Sequence, residues 1–598
     1  MKKRNLFALA AATMLFAACS DDLPNGEGGN GLEGDAWLSL NISPSMTRAI
    51  NNPDQEIGKA DESKVNSIKV VLFDDFASTA FVTNVVDLTL LEDETDWLTK
   101  TNAFKVSKNA KSILVIVNPS SKLPTITAGV STFSSVNQAI SATVANVTQQ
   151  TKDETTTTNN FMMTNASGFL EPNTYASDGT VTNGDIQDNT KATAAAAEAA
   201  DARLSIVVDR VVAKVRLYNN ATSPENVDTP SDDSGIKITF VENSVQWGLN
   251  ITNKKFYPMS ERTKTELNTD IWSATPYKQG SYRKDPNYDD ANQSVIAYNS
   301  GALVYTDLYK ANYNFVDASV SSNSFAIDWK SPTNVTSGSA GGAETPSANI
   351  KTNVEYCLEN TQAAKFNYHA YTTQAVLKAT VYPSHFKLAE LKDGSYYQAA
   401  GSNPTYDWIK IANGYYTMAT LGDWIKKELT LFYSDGTVGA LYTAFNDYLG
   451  YLEGKNVTGV EKVSIPAFEE GDVAADKAAT VAASFNATAL VNALKAHGGD
   501  SYGNVTYYAA GVSYYKIMIK HDDDTPTGGG TGSNVNALGE FGVVRNSVYD
   551  IHIGSINSPG YPIVPKPDPE TPDEESDKYL AVQITINPWT WYTQTENL

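Results

Sequence analysis

Two cysteines and five histidines in 598 residues leave little material for a soft-metal centre or a disulfide framework. Basic residues are also scarce: 45 Lys and Arg face 68 Asp and Glu, a formal net charge of −23. That balance excludes nucleic-acid binding, because phosphates require a basic face. The apolar run Leu6 to Ala18 has 13 residues, short of the ~20 that a membrane-spanning helix needs. No G-x-S-x-G elbow, H-E-x-x-H pair or P-loop occurs. His369, His385, His497, His521 and His552 lack the spacing of metal ligands, and the acidic stretch Asp522 to Ser533 lacks the ligand order of a calcium loop. The sequence therefore predicts no enzyme, no cofactor and no metal.

What is present favours strands. Tyr (32) outnumbers Phe (20), and Thr, Val, Asn and Ser are plentiful, a composition suited to pleated sheets and polar turns. The length exceeds one ordinary core and predicts roughly two to four domains. Lys2, Lys3 and Arg4 before the apolar run make residues 1–18 a signal peptide. Its end, Phe16-Ala17-Ala18-Cys19, resembles a lipobox with Cys19 as the lipidated residue, although Phe16 stands where Leu is usual. Ser20-Asp21-Asp22 resembles the acidic tag of surface-exposed Bacteroidales lipoproteins. Cys357 is expected to be a buried apolar residue and not a nucleophile.

A Gly-rich tether, Asn25 to Gly34, leads to a period-2 strand in which Ala36, Leu38, Leu40 and Ile42 share one face. Pro44 ends it, and Arg48 precedes a polar turn. Further strands are expected at Ile68–Phe73, Ser112–Val117, Arg203–Val208, Val211–Leu217, Ile236–Val241, Ala375–Tyr382 and Tyr514–Ile519. Helices are expected to be few: Thr190–Asp201 by propensity, with shorter ones at Leu421–Leu431 and Ala487–Ala496. Six prolines between Pro559 and Pro572 predict an extended arm that holds the C-terminal segment away from the body. That segment is another period-2 strand, with Leu580, Val582, Ile584 and Ile586 on one face, then Trp589 and Trp591. Such a strand exposes apolar side chains and unpaired amides unless it pairs with something.

Ile68–Phe73, Phe161–Ala166, Asp209–Val215, Trp247–Asn250, Tyr356–Thr361, Val544–Asp550 and Ile584–Thr590, taken in order, resemble the major fimbrial subunits (fimbrillins) of Bacteroidales type V pili. Residues 256–350 and 385–500 match no part of that pattern. The resemblance implies an all-β chain of two transthyretin-like sandwich domains in tandem, with insertions in the second. It implies a lipoprotein precursor bound for the outer membrane and cell-surface fimbriae. It also implies an Arg-specific protease that cuts between Arg48 and Ala49. The strand Ala36, Leu38, Leu40, Ile42 is then displaced, and its groove receives a donor strand (Leu580, Val582, Ile584, Ile586, Trp589, Trp591) from another copy. The boundaries expected are signal peptide 1–18, propeptide 19–48, first domain 49–202, second domain 203–558, arm 559–578 and donor strand 579–598. The function implied is a stalk subunit supporting adhesion and biofilm formation. Its partners are further copies, anchor and tip pilins and an unidentified surface ligand.

The matching beats of 36/38/40/42 and 580/582/584/586 support strand exchange without the resemblance, since one groove accepts strands of one pattern. The alternative is a surface lipoprotein that binds carbohydrate, with Trp272, Tyr277, Trp408 and Tyr415 as a stacking platform.

Overall fold

The computed structural model describes residues 36–590 apart from internal stretches, the longest being 45–55, 89–98, 220–235, 264–281, 335–352 and 522–538. The first elements among the described residues are β1 (Ala36–Leu38), β2 (Leu40–Pro44), β3 (Glu56–Ile57) and a helical turn α1 (Ala60–Ser63). It continues through β4 (Ile68–Phe73), β5 (Val82–Leu88), β6 (Thr99–Lys100), β7 (Phe104–Val106), β8 (Ser112–Val117), β9 (Met163–Asn165) and β10 (Leu204–Arg210). One sheet takes most of these, in the order β5-β4-β8-β9-β10-β2-β6. Its interior strand β8 is buried at every position, as expected for an apolar run covered on both faces.

The second unit starts one residue after β10. Here β11 (Val212–Asn219), β12 (Gln246–Asn250), β13 (Val354–Leu358) and β14 (Gln374–Pro383) are followed by an insert. The chain then resumes with β19 (Val512–Met518), β20 (Ser547–Ile556) and β21 (Leu580–Thr590). Two sheets face each other. In one, β13 and β20 flank β11, and β21 lies beyond β20. In the other, β14 lies between β12 and β19. Val215 and Leu217, Tyr549 and Ile551 from the first meet Trp247, Leu377 and Ile517 from the second in one core. The fold is thus mostly β, with sheets in a sandwich arrangement. The chain passes from one set of sheets to the other at Val211, because β10 still pairs with β9 and β2 of the first sheet.

The insert departs from an all-β reading. It comprises β15 (Trp408–Ile411), β16 (Gly414–Thr417), α2 (Met418–Asp435), α3 (Ala440–Gly454), α4 (Ala474–Ala483), α5 (Thr488–His497), β17 (Ser501–Tyr502) and β18 (Val505–Tyr508). A four-stranded sheet, β16-β15-β18-β17, carries the helices. Along β15 the faces alternate: Trp408 enters the sandwich core, and Ile409 enters the helical one. Thr417 caps α2, and Leu421, Ile425, Leu429 and Tyr433, four residues apart, line its buried side. The expected helix at Thr190–Asp201 shrinks to Ala194–Ala197. Alanine propensity does not sustain a short helix that has no apolar face to bury, and Ala197 is its one buried residue.

A buried polar seam joins the two units. The side chains of Glu62 on α1 and Lys214 on β11 are both 0% exposed and 3.1 Å apart. Tyr356 donates to Glu62 (2.6 Å), and the Arg210 Nε donates to the Glu62 carbonyl (2.9 Å). Burial pulls the Arg210 guanidinium down to about 10, with Glu62 and Asp209 opposing. Arg283 binds Asp209 (2.6 Å), and Arg545 binds Glu359 (3.1 Å) and the Pro258 carbonyl (3.1 Å). Removing one partner of such a pair strands the other charge out of water. Lys214→Met is expected to lower stability by about 3–5 kcal/mol, whereas the double change Glu62→Leu/Lys214→Met recovers most of it, read from urea unfolding midpoints.

Candidate assembly site

The predicted N-terminal strand is two short strands with a jog. β1 pairs antiparallel with β7, and Trp37 exchanges 2.8 Å backbone bonds with Lys191. At Ser39 the chain steps across. The Ser39 hydroxyl donates to the Ala197 carbonyl (2.7 Å), and its own carbonyl accepts from Leu204 N–H (3.0 Å), so a polar residue sits fully buried without cost. β2 then runs parallel to β10, Leu40 beside Leu204 and Ile42 beside Ile206. On its other side β2 is antiparallel to β6, and the Leu40 N–H donates to the Thr101 hydroxyl (3.0 Å). Leu38, Leu40 and Ile42 are 0% exposed. Ala36 and Trp37 are half-buried, so the effective beat starts at Leu38. The slot between β10 and β6 is an interior position of the sheet, filled by the chain's own β2.

The C-terminal strand occupies a different kind of position. β21 is antiparallel to β20, from Ser547 beside Pro588 to Ile556 beside Leu580, with a break in register between Ile553 and Ser555. Ile586 lies beside Tyr549 in that register. On the far side its partner is the two-residue β3, with Trp589 beside Glu56. Val582 and Ile584 are half-buried against the sandwich core. The strand expected to seek a partner is thus housed in its own domain, near the margin of a sheet. Cys19, Arg48, Ala49 and Trp591 lie outside the described residues.

The arm before β21 is not held away from the body. Pro559, Pro562, Pro565 and Pro567 are buried. Tyr561 exchanges backbone bonds of 2.7 and 2.8 Å with Tyr514 of β19. Gly560 is required there, since a Cβ would meet the Tyr514 carbonyl at 2.2 Å. The prolines announce polyproline character but not the backbone edge on which the arm docks.

Other candidates resolve into structure. Trp408 is buried, stacked on Tyr508 at 4.1 Å, and donates to the Val381 carbonyl (3.1 Å). With Tyr415 against its edge at 5.9 Å it is a core residue and no platform for a sugar; Trp272 and Tyr277 lie outside the described residues. Cys357 is fully buried on β13, and burial pushes its thiol far up, which leaves it unreactive. Among the described residues no cluster of His, Cys, Asp and Glu could hold a metal ion, and no helix is long and apolar enough to cross a membrane. Glu62 and its partners are not evident from the sequence. The available signal is Lys214 and Asp209-Arg210 inside an apolar run, where a charge needs a buried partner.

Two family models match the chain. Residues 36–206 match the major fimbrial subunit protein (FimA), and residues 506–595 match the C-terminal domain of the type IV major fimbrial subunit protein, fimbrillin. No curated protein matches it. Among solved structures, a fimbrilin from Porphyromonas gingivalis is 14% identical and covers 94% of this chain and 99% of its own, with a TM-score of 0.34. A protein assigned to cell adhesion from Parabacteroides distasonis is 13% identical and covers 94% and 99%, with a TM-score of 0.36. The C-terminally truncated tip fimbrial protein Mfa3 from Porphyromonas gingivalis is 10% identical and covers 92% and 99%, with a TM-score of 0.27.

The slot's occupant is part of the first core. Leu40→Ala is expected to destabilise the uncut chain by about 2–5 kcal/mol, as for other fully buried leucines, and denaturant titration of the precursor checks it.

Proposed function

The chain belongs to the major fimbrial subunit family, and from that premise we propose that it is a stalk subunit whose polymerisation is triggered by removal of its first strands. Family membership makes it a structural subunit of a cell-surface fimbria, not a member of an enzyme family. In the finer reading, the precursor is lipidated at Cys19 and held at the outer membrane. An Arg-specific protease cuts after Arg48, so the mature subunit begins at Ala49. β1 and β2 leave, and β21 of another copy enters the slot between β10 and β6. Anchor and tip pilins complete the fibre, which supports adhesion and biofilm formation.

The observation that carries this reading is the contrast between the two strand positions. Leu38, Leu40 and Ile42 have no exposure, whereas Val582 and Ile584 are half-buried at home. Moving the latter pair to full burial gains about 1.5–3 kcal/mol in total. The backbone pairing lost beside β20 and the two-residue β3 is replaced in part by pairing with β10 and the two-residue β6. Covalent removal of β1–β2 makes the step effectively one-way, because the displaced strands no longer compete at the high local concentration of a tethered segment. The contact is head-to-tail and does not close, so it builds a filament without nucleotide or metal.

Arg48→Ala is expected to leave a lipidated, monomeric precursor. N-terminal sequencing of fibres checks the cut, and residues before Ala49 in mature fibres would reject it. Ile584→Asp is expected to abolish fibres while Ile584→Val retains them, read by electron microscopy and heat-resistant ladders on gels. Normal fibres from Ile584→Asp would sink the exchange reading.

A further inference from the structure

Between β20 and β21 the arm crosses the second domain and is fixed at both ends. At its start, Tyr561 pairs with Tyr514, and the Tyr508 hydroxyl donates to the Gly560 carbonyl (2.9 Å). At its far end, His369 N–H donates to the Thr571 carbonyl (3.0 Å), and Asp573 N–H donates to the Asn367 carbonyl (3.1 Å). These two bonds bracket Tyr368 and Pro572, which lie directly opposite each other as an isolated antiparallel bridge. The Asp573 carboxylate accepts from the Thr372 hydroxyl, and the residue is 2% exposed. Burying a carboxylate is costly, and the Thr372 hydroxyl offsets part of that cost while the arm is docked. Asp568 accepts from the Thr571 N–H and hydroxyl (3.2 and 2.6 Å), which pre-shapes the turn that presents Thr571.

Resting on the strand-exchange reading above, we propose that the arm stays docked on its own subunit during exchange, with Asp573 as the last fixed point. β21 then reaches the next copy across the six residues that separate Asp573 from Leu580 in the sequence. The reach is set by chain geometry: seven residue steps span at most about 25 Å. An arm that peeled away from Ile556 would span about 80 Å. The surface directly above the buried anchor formed by Asn367, Thr372 and Asp573 therefore lies against a second copy of this chain, at the mouth of its slot between β10 and β6. The stack is close and fixed in geometry, not a string of loosely tethered beads.

Two engineered disulfides in the full-length chain separate the possibilities. Tyr368→Cys/Pro572→Cys joins a pair between whose flanking hydrogen bonds the Cα atoms lie about 4.5 Å apart, within disulfide range. It locks the arm to the body. His552→Cys/Gln583→Cys joins partners in the β20–β21 register and locks the strand at home. After protease treatment, the oxidised arm lock is expected to give fibres and ladders as the wild type does. The oxidised strand lock is expected to give none until it is reduced. An arm lock that blocks assembly when oxidised and permits it when reduced means that the arm leaves its subunit, and it overturns the proposal. A strand lock that polymerises while oxidised overturns the exchange reading, and the proposal with it. Should the arm lock be inactive even when reduced, His369→Cys/Thr571→Cys, the next pair in the same antiparallel register, gives the same decision.

Discussion

A sheet of seven strands with an unfilled interior lane is not a stable object. The slot between β10 and β6 offers unpaired backbone groups on two sides above a core of Ile206, Val208, Ile113 and Val115. Water is a poor substitute for a strand in such a place, because the walls carry both apolar surface and a ladder that needs partners. Much else in the molecule depends on keeping this lane occupied. The jog at Ser39 lets one short stretch serve β7 first and β10 next. The seam around Glu62 and Lys214 fixes the segment downstream of Pro44, so loss of the strands upstream need not loosen the body.

The seam also explains why so many charges are buried in a protein with an acidic surplus. Buried ion pairs seldom add much to stability relative to well-packed apolar residues, but they are intolerant of misalignment. Arg210, Lys214, Arg283 and Arg545 each meet a carboxylate or carbonyl contributed from elsewhere in the chain. The two units consequently have one relative placement in which every group is satisfied. For a subunit that repeats along a fibre, a defined placement has more use than extra stability.

Much of this is legible in the residues alone, and the parts that are not have a common character. The beats at Leu38-Leu40-Ile42 and Val582-Ile584 are visible because period-2 alternation is a local property. The run at β8 is visible for the same reason. The jog at Ser39 is not, because the carbonyl that satisfies its hydroxyl belongs to Ala197, 158 residues away. α3 and α4 lie outside the expected helices: Leu441, Phe445, Leu449 and Leu452 do follow a helical spacing, but the tyrosines among them also suit a strand. The prolines of the arm lead to the expectation of an extended chain. They carry no information about the edge of β19 that it lies against. Local pattern is legible throughout, and what each pattern touches is not.

The single-residue step from β10 to β11 has a mechanical consequence. β10 is a wall of the slot that β2 fills, and β11 lies parallel to β20 from Lys214 beside Val548 to Asn219 beside Ile553. Tension applied to whatever fills the slot enters β10 lengthwise and continues through Val211 into β11 without passing through a loop. There it is shared with β20 across a ladder loaded in shear, in which all the hydrogen bonds resist together and none is opened ahead of the rest. The buried bond from Arg210 to Glu62 braces the step itself. A fibre built from such subunits would carry pulling forces along covalent strands and sheared ladders, the loading geometry in which β-structure yields last.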